Sequence, residues 1–164
     1  MTSLKITKII IEGPDCSGKS TLVERLKNVL RWDSKYLRHK EGDQFGRYLR
    51  EYAGEETVLD RSHFSENVYS KMWRGGSPFT KEEKEVLDKA AAVNSLIIFA
   101  IPSLKTLKER YQSRGFEQQI TLEELSYSRK LFLEEIRGLP IIIYRAKSYG
   151  ELEKLLNKVK KMVK

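Results

Sequence analysis

Residues 13–20 of the chain, GPDCSGKS, place two glycines, a lysine and a serine at a spacing suited to holding phosphate groups. The segment fits the pattern G-x-x-x-x-G-K-[ST] in full. An apolar β-branched run at 6–11 precedes it, and residues 21–32 carry Leu and Val at helical spacing. Backbone N–H groups in a turn before a helix form a concave, positively polarised site, so the pattern predicts phosphate binding.

Individual residues of this loop have separate expected tasks. Gly13 and Gly18 allow backbone conformations that a Cβ would hinder. Lys19 can reach the β- and γ-phosphates of a nucleotide, and the Ser20 hydroxyl can ligate Mg²⁺. The predicted phosphate-binding set is Gly13, Cys16, Ser17, Gly18, Lys19, Ser20 and Thr21.

Cys16 lies inside the loop, close to the start of the predicted helix, where a thiol pKa is lowered. It is interpreted either as a redox-sensitive thiol or as a small residue that fits the turn, and we favour the small residue. Because it is the single Cys of the chain, no internal disulfide can form. A reducing, cytoplasmic compartment is therefore expected.

Apolar runs alternate with helical patterns along the chain. Strands are predicted at 6–11, 57–59, 95–101 and 140–144, and helices at 21–32, 45–52, 62–73, 80–93, 103–114, 121–137 and 149–163. Capping boxes are predicted where Thr80, Thr121 and Ser148 are each followed three residues later by Glu. The alternation predicts an α/β fold, a three-layer sandwich with a parallel sheet of about five strands flanked by helices.

The composition suits a single domain, 1–164, with 40% hydrophobic and 33% charged residues. Lys and Arg number 31 against 23 Asp and Glu, a net charge of +8 that favours an anionic partner such as a nucleotide or nucleic acid. Residues 157–164 hold four of the lysines, so a solvated end explains part of the excess. No stretch approaches the ~20 apolar residues that span a bilayer, and no membrane partner is expected.

Three segments of the chain follow the order of the motifs of one enzyme family. Residues 12–20, EGPDCSGKS, fit E-G-x-D-x-x-G-K-[ST], and residues 60–69, DRSHFSENVY, fit D-R-[YFS]-x-x-S-x-x-x-Y. Residues 110–114, RYQSR, fit R-x-x-x-R within a short lid around 110–120. With these motifs in this order, the chain resembles the thymidylate kinase family of P-loop kinases over about residues 8–156.

On the donor side, the resemblance implies ATP and Mg²⁺ as cofactors. Asp60 is expected near Mg²⁺ or its waters together with Ser20, and Arg145 and Ala146 are expected to hold adenine. The implied catalytic set is Lys19, Asp60, Arg110 and Arg114.

The lid arginines carry the positive charge that the resemblance requires. Cys16 stands where some family members have a loop arginine, so the lid must stabilise the transferring phosphoryl group. Arg110 is expected to cover adenine or the phosphates, and Arg114 to approach the transferring group. Arginines four residues apart are also typical of a solvated helix face, and the two preceding motifs favour the functional interpretation.

On the acceptor side, the resemblance assigns contact with a sugar to Asp15 and contact with a phosphate to Arg61 and Arg50. Phe64 and Tyr69 are expected to shape the acceptor pocket. The implied substrate-binding set is Asp15, Arg38, Arg50, Arg61, Phe64 and Tyr69, with Arg38 opening the stretch RHKEG, which loosely matches the family's R-x-P-G-G.

The chain departs from the family between Arg50 and Asp60, where residues 51–59 leave no room for the long helix that packs on the acceptor base. The acceptor pocket is therefore expected to be open on one side. Two acceptors stay open: a pyrimidine deoxynucleotide such as dTMP, which we favour, and a 5-hydroxymethyluracil within single-stranded or flipped DNA. A P-loop ATPase or nucleotide sensor without an acceptor is the third hypothesis. Because the family often forms dimers through helices, a homodimer is a further expectation.

Overall fold

The computed structural model describes residues 5–115 and 119–163, so part of the predicted lid, residues 116–118, lies outside it. Five strands pair in parallel in the order β2-β3-β1-β4-β5. Their bounds are β1 Lys8–Glu12, β2 Asp33–Tyr36, β3 Thr57–Asp60, β4 Ser95–Ala100 and β5 Ile141–Tyr144. Every residue of β1 and β4 is buried, as expected for central strands covered on both faces.

Seven described helices flank the sheet. Their bounds are α1 Lys19–Leu30, α2 Gln44–Ala53, α3 His63–Trp73, α4 Lys81–Val93, α5 Leu104–Ser113, α6 Leu122–Glu135 and α7 Tyr149–Val163. Ile10 of β1 packs in the cluster of α2, α3, α4 and α6, whereas Ile9 packs in the cluster of α1 and α7, because successive strand residues point to opposite faces. The predicted three-layer α/β sandwich is confirmed.

Strand β2 is the element that the sequence patterns did not predict. Its residues, DSKY, are all exposed, and it lies at the edge of the sheet beside β3. Backbone pairing and not side-chain burial holds it there, so it has no apolar signature. The predicted strands and helices begin and end within two residues of the observed bounds. No helix within the described ranges is long and apolar enough to cross a membrane.

The helix starts confirm two of the three predicted capping boxes. Both α4 and α6 begin with the reciprocal pair of hydrogen bonds. The third prediction is wrong: Ser148 Oγ accepts from the Glu151 N–H, but the Glu151 carboxylate accepts from the N–H groups of Arg145 and Lys147. That carboxylate closes the loop between β5 and α7, because two unpaired N–H groups there lie within its reach.

Candidate functional site

The predicted phosphate loop joins the carboxyl end of β1 to α1. Gly13 has φ +139°, and a Cβ there would lie 2.2 Å from the carbonyl oxygen of Ala100. Gly18, with φ +89°, caps α1 in the left-handed region, and Cys16 also has a positive φ of 60°. These conformations turn the backbone into the concave cradle that the sequence predicts, and Gly13 is required because β4 runs directly behind it.

Lys19 lies at the start of α1 and is buried. Its Nζ donates to the carbonyl oxygen of Pro14 at 2.6 Å and lies 3.4 Å from Ser17 Oγ. Burial, with a contribution from the nearby Arg61 guanidinium, lowers the Lys19 pKa to about 7. The ammonium is thus held across the loop by neutral oxygens, which phosphate oxygens can replace.

A first cavity of about 490 Å³ opens over this loop. Its walls bring together the loop, the end of β3 and the lid; they are Asp15, Cys16, Ser17, Gly18, Lys19, Ser20, Thr21, Tyr36, Asp60, Arg61 and Arg114. Burial raises the pKa of the Asp60 carboxyl. The cradle fits a nucleotide polyphosphate, because Lys19, Arg61 and Arg114 line the cavity together with the small residues of the loop.

The residues present also fit Mg²⁺ in the manner usual for phosphate sites. Ser20 and Asp60 line the same cavity and offer a hydroxyl and a carboxylate. In the described ranges, no group of three or more His, Cys, Asp or Glu side chains forms a metal cage. Mg²⁺ is commonly held by one or two protein oxygens together with phosphates and waters, so Ser20 and Asp60 are the residues that would hold it.

An ion pair closes one side of the first cavity. Arg61 Nη2 donates to Asp15 Oδ1 at 2.7 Å, and Arg61 Nη1 donates to Ser65 Oγ at 3.2 Å. The guanidinium lies 5.1 Å from the centre of the Tyr69 ring. Arg61 has a positive φ of 73°, and its N–H donates to the Ile11 carbonyl at 3.0 Å. The end of β1 thus fixes a conformation that is uncommon for a residue with a Cβ.

Glu12 lies beneath this ion pair and is fully buried at the end of β1. Its carboxylate accepts from the hydroxyls of Ser62 and Ser65 and from the Ser65 N–H at 3.1 Å. Burial raises the pKa of this carboxyl. Although Glu12 belongs to the first motif, sequence reasoning gave it no task; the structure shows that it ties β1 to the start of α3.

A second cavity of about 310 Å³ adjoins the first. It shares Asp15, Tyr36 and Arg61 with the first cavity. Its walls come from β2, the following loop, α3 and the end of the lid; they are Asp15, Tyr36, Leu37, Arg38, His39, Arg61, Ser65, Glu66, Tyr69, Trp73, Arg74 and Gln119. Two cavities with a common wall can hold two ligands in contact.

Sequence reasoning missed the cluster at the far end of the second cavity. Glu66 Oε1 lies 2.7 Å from His39 Nδ1 and accepts from Ser70 Oγ at 3.2 Å and Arg74 Nη2 at 3.0 Å. Beside it, the rings of Tyr69 and Trp73 stack at 5.1 Å. Glu66, Ser70 and Arg74 follow one another at intervals of four, and this spacing on α3 is the signal that could have found them.

The lid reaches the phosphate loop through Arg110. Its Nη1 donates to the Cys16 carbonyl at 3.2 Å, and its Nη2 donates to the Ala146 carbonyl at 2.8 Å. Arg114 lines the first cavity, and Ala146 is buried with a positive φ of 53°. Arg145 donates from its side chain to the Ile101 carbonyl at 3.2 Å. The structure therefore brings Arg110, Arg114 and Ala146 to the loop, whereas the Arg145 side chain contacts the residue that follows β4.

The Cys16 side chain packs in an apolar cluster with Leu107 of α5, Leu125 of α6 and Ile120 of the lid. Burial raises its thiol pKa, which is the opposite of what a reactive thiol requires. The apolar contacts favour the interpretation of Cys16 as a small residue that fits the turn and packs under the lid.

Two predicted acceptor-side residues do not reach the cavities. Arg50 lies on the exposed side of α2, near Gly46, and lines neither cavity. Phe64 is fully buried and packs on Phe99 with ring centres 5.3 Å apart. Neither side chain lines either cavity, so the structure does not place Arg50 at an acceptor phosphate or Phe64 in the wall of the acceptor pocket, which corrects both predictions. Arg38 lines the second cavity and lies 5.3 Å from the centre of the Tyr36 ring.

Comparisons with known proteins agree with this fold. No protein-family model matches the chain. The chain is similar to the SPbeta prophage-derived uncharacterized protein YorR of Bacillus subtilis (strain 168), with 27% identity over 118 residues that cover 68% of this chain and 72% of that protein.

Solved structures are similar to this fold over nearly the whole chain. The crystal structure of the YorR protein from Bacillus subtilis in complex with phosphorylated GDP superposes with a TM-score of 0.83 at 21% identity, covering 96% of this chain and 95% of that chain. Deoxyadenosine kinase from M. mycoides with bound dCTP gives 0.61 at 18% identity, covering 94% and 99%. Shikimate kinase from Acinetobacter baumannii with shikimate gives 0.58 at 14% identity, covering 98% and 94%. The chain therefore has the fold of P-loop kinases.

Proposed function

We propose that the protein is an ATP- and Mg²⁺-dependent phosphotransferase whose acceptor is a pyrimidine deoxynucleotide, dTMP or a related deoxynucleoside monophosphate. The observation that carries this proposal is the wall of Asp15, Tyr36 and Arg61 that the two cavities share. Ligands in both cavities would meet at that wall, which is the arrangement that transfer between two bound molecules requires.

The first cavity suits the donor. When bound, ATP with Mg²⁺ supplies the phosphoryl group and neutralises charge on the phosphate oxygens. Lys19 and the loop N–H groups bind those oxygens, and Arg110 bridges the loop and the Ala146 backbone at the adenine side. Arg114 adds a cation at the cavity wall, where charge spreads over the transferring group.

The second cavity suits an anionic acceptor. Three arginines line it, Arg38, Arg61 and Arg74, against two carboxylates, Asp15 and Glu66. The hydrogen bonds from Arg61 to Asp15 and Ser65 fix its guanidinium before any ligand binds. A phosphate acceptor is itself a nucleophile at neutral pH, so the site needs orientation and positive charge in place of a general base.

The ligands of two similar proteins support nucleotide binding. YorR was crystallised with phosphorylated GDP, and the deoxyadenosine kinase was solved with dCTP. A nucleotide in each cavity is consistent with both.

A second candidate acceptor is 5-hydroxymethyluracil within DNA. Its support is the direct passage from α2, ending at Ala53, to β3, beginning at Thr57, which leaves the second cavity without a covering helix. The net charge of +8 also suits DNA. However, Lys158, Lys160 and Lys161 lie on α7, which packs with α1 away from the second cavity. A free nucleotide is therefore the better supported acceptor.

Transfer of label from [γ-³²P]ATP tests the proposal. Purified protein with Mg²⁺ is incubated with each deoxynucleoside monophosphate, with hydroxymethyluracil DNA, with thymine DNA and without acceptor. We expect labelled pyrimidine deoxynucleoside diphosphate, and we expect Lys19→Ala to reduce its formation at least about a hundredfold. Label on hydroxymethyluracil DNA alone would establish the second candidate, and acceptor-independent phosphate release alone would establish an ATPase and overturn the proposal.

A further inference from the structure

A carboxylate in the first turn of α7 holds the loop that follows β5. Glu151 Oε1 accepts from the Arg145 N–H and Glu151 Oε2 accepts from the Lys147 N–H, each at 2.7 Å. Both oxygens of one side chain are thus bonded to the two N–H groups that flank Ala146. In a capping box the same carboxylate would accept from the N–H of Ser148, so its contacts here fix the loop in place of the helix end.

Ala146, between these two bonds, has a conformation that a residue with a Cβ seldom adopts. Its φ is 53°, and the residue is buried. Such a conformation persists only where the surrounding contacts determine it, and the flanking bonds to Glu151 do so here. The direction of the Ala146 carbonyl therefore depends on Glu151.

That carbonyl is one of two acceptors that hold the Arg110 guanidinium. Arg110 Nη2 donates to the Ala146 carbonyl at 2.8 Å, and Arg110 Nη1 donates to the Cys16 carbonyl at 3.2 Å. Because a guanidinium is a planar fork, two bonds to separate acceptors fix its plane. An added Cβ at Gly18 would lie 3.5 Å from Arg110 Nη1, so the guanidinium is fixed directly against the phosphate loop.

The contacts that fix Arg110 leave its charge available to a ligand. Both acceptors are neutral carbonyl oxygens, so neither cancels the positive charge. The two bonds use two of the five N–H groups of a guanidinium, and phosphate oxygens are strong acceptors for the others. Arg110 thus presents its charge at the phosphate loop in the direction that the Cys16 and Ala146 carbonyls set.

We infer that Glu151 is a positioning residue for the phosphate donor and that it acts through the Ala146 carbonyl on Arg110. Glu151 lines neither cavity, so its effect on the donor passes through the loop. The inference rests on the proposed function, because it takes the first cavity as the site of ATP.

A double-mutant cycle on donor binding tests this assignment. Calorimetry without acceptor measures the affinity of the Mg²⁺ complex of the β,γ-imido analogue of ATP for the wild type, Glu151→Gln, Arg110→Lys and the double variant. Glutamine has one carbonyl oxygen and one N–H₂ group, so it accepts from one flanking N–H and places a donor against the other. We expect Glu151→Gln to weaken binding about tenfold in the wild-type chain, but less than about twofold when Lys, which lacks the fork, replaces Arg110.

Glu153→Gln is the matched control, because it removes the same charge from the same helix and breaks the contact of Glu153 with Arg25. It should change the affinity by less than about twofold. If Glu151→Gln does not fold, Glu151→Asp replaces it in the cycle, because the shorter side chain keeps the charge but does not span both N–H groups. An unchanged affinity in the folded Glu151 variant, or an equal loss in both Arg110 backgrounds, would overturn the inference.

Transfer to dTMP gives a second measurement. Glu151→Gln should raise the KM for ATP about tenfold and leave the KM for dTMP within about twofold, because the loop at 145–147 does not line the second cavity. Equal rises in both KM values would indicate a general loss of structure and overturn the inference. Coupling in donor binding without label transfer to any acceptor would instead remove the proposed function and retain Glu151 as a positioning residue.

Discussion

At the scale of single residues, the site depends on charges that are fixed before a ligand binds. The Lys19 ammonium is buried against the carbonyl oxygen of Pro14, and Arg61 is held between Asp15 and Ser65. A fixed cation interacts with a phosphate without first losing conformational freedom. The burial of Lys19 also disfavours its charged form and lowers its pKa to about 7.

This lowered pKa predicts proton uptake on nucleotide binding. At pH 8 most of the free protein has neutral Lys19. Bound phosphates restore the positive charge of Lys19, so binding of Mg·ADP should be accompanied by the uptake of about one proton. At pH 6, Lys19 is already charged, and uptake should nearly vanish. Calorimetry in buffers of different ionisation enthalpy measures this proton number.

Lys19→Arg is the control, since its guanidinium is charged at both pH values. That variant should bind Mg·ADP without the uptake seen at pH 8. Equal proton numbers for the wild type at pH 6 and pH 8 would contradict the assignment of a lowered pKa to Lys19.

The sequence predicts the residues of the first cavity well and those of the second poorly. Lys19 and Ser20 lie in a contiguous motif whose spacing alone defines a local loop. His39 and Glu66 meet only because the loop after β2 lies against the first turn of α3, and no local sequence pattern predicts that contact. Arg50 shows the converse case, because alignment to a family position does not fix which side of α2 faces the cavity.

At the scale of elements, α3 lines the second cavity and begins two residues after Arg61, which lines both cavities. Its start is tied to β1 through Glu12, Ser62 and Ser65, and its far end carries Arg74. A buried carboxylate such as that of Glu12 costs free energy unless hydrogen-bond donors surround it. Burial raises the Glu12 pKa despite the hydrogen bonds of the two serines and the nearby Arg61 charge.

Glu12→Gln should therefore change the pH dependence of stability. A carboxyl whose pKa is raised in the folded state binds protons more tightly there, so its contribution to stability is lost as the pH rises above its ordinary value near 4.5. Glutamine has no such loss. The free energy of unfolding of the variant relative to wild type should therefore rise as the pH increases above about 4.5.

Urea unfolding at several pH values measures this difference. Glu85→Gln on the exposed side of α4 is the matched control, and its difference from wild type should change little over the same range. A Glu12→Gln difference that is constant, or that falls as the pH rises, would contradict a buried carboxyl with a raised pKa.

The strands and helices were predictable where burial requires apolar residues or where a helix start carries capping residues. β1 and β4 are apolar runs because both faces are covered, and the starts of α4 and α6 carry capping boxes. β2 was missed because an exposed edge strand is held by its backbone alone. This matters for function, since β2 and the following loop supply Tyr36 and His39 to the second cavity.

At the scale of the whole molecule, the parallel sheet brings the site together. β1 and β3 pair in parallel, so their carboxyl ends place the phosphate loop beside Asp60 and Arg61. Ligands of open parallel sheets bind at this edge. The order β2-β3-β1 then places β2 beyond β3, where its end can line the second cavity next to the first.

In the proposed function, donor and acceptor occupy the two adjoining cavities at the same time. Adenosine and thymidine joined through their 5′ positions by five phosphates would span both, and such a linked ligand gains affinity only if both ends bind. We predict that it competes with ATP and with dTMP and binds at least about tenfold more tightly than either. Competition with ATP alone, at an affinity no higher than that of ATP, would contradict the claim.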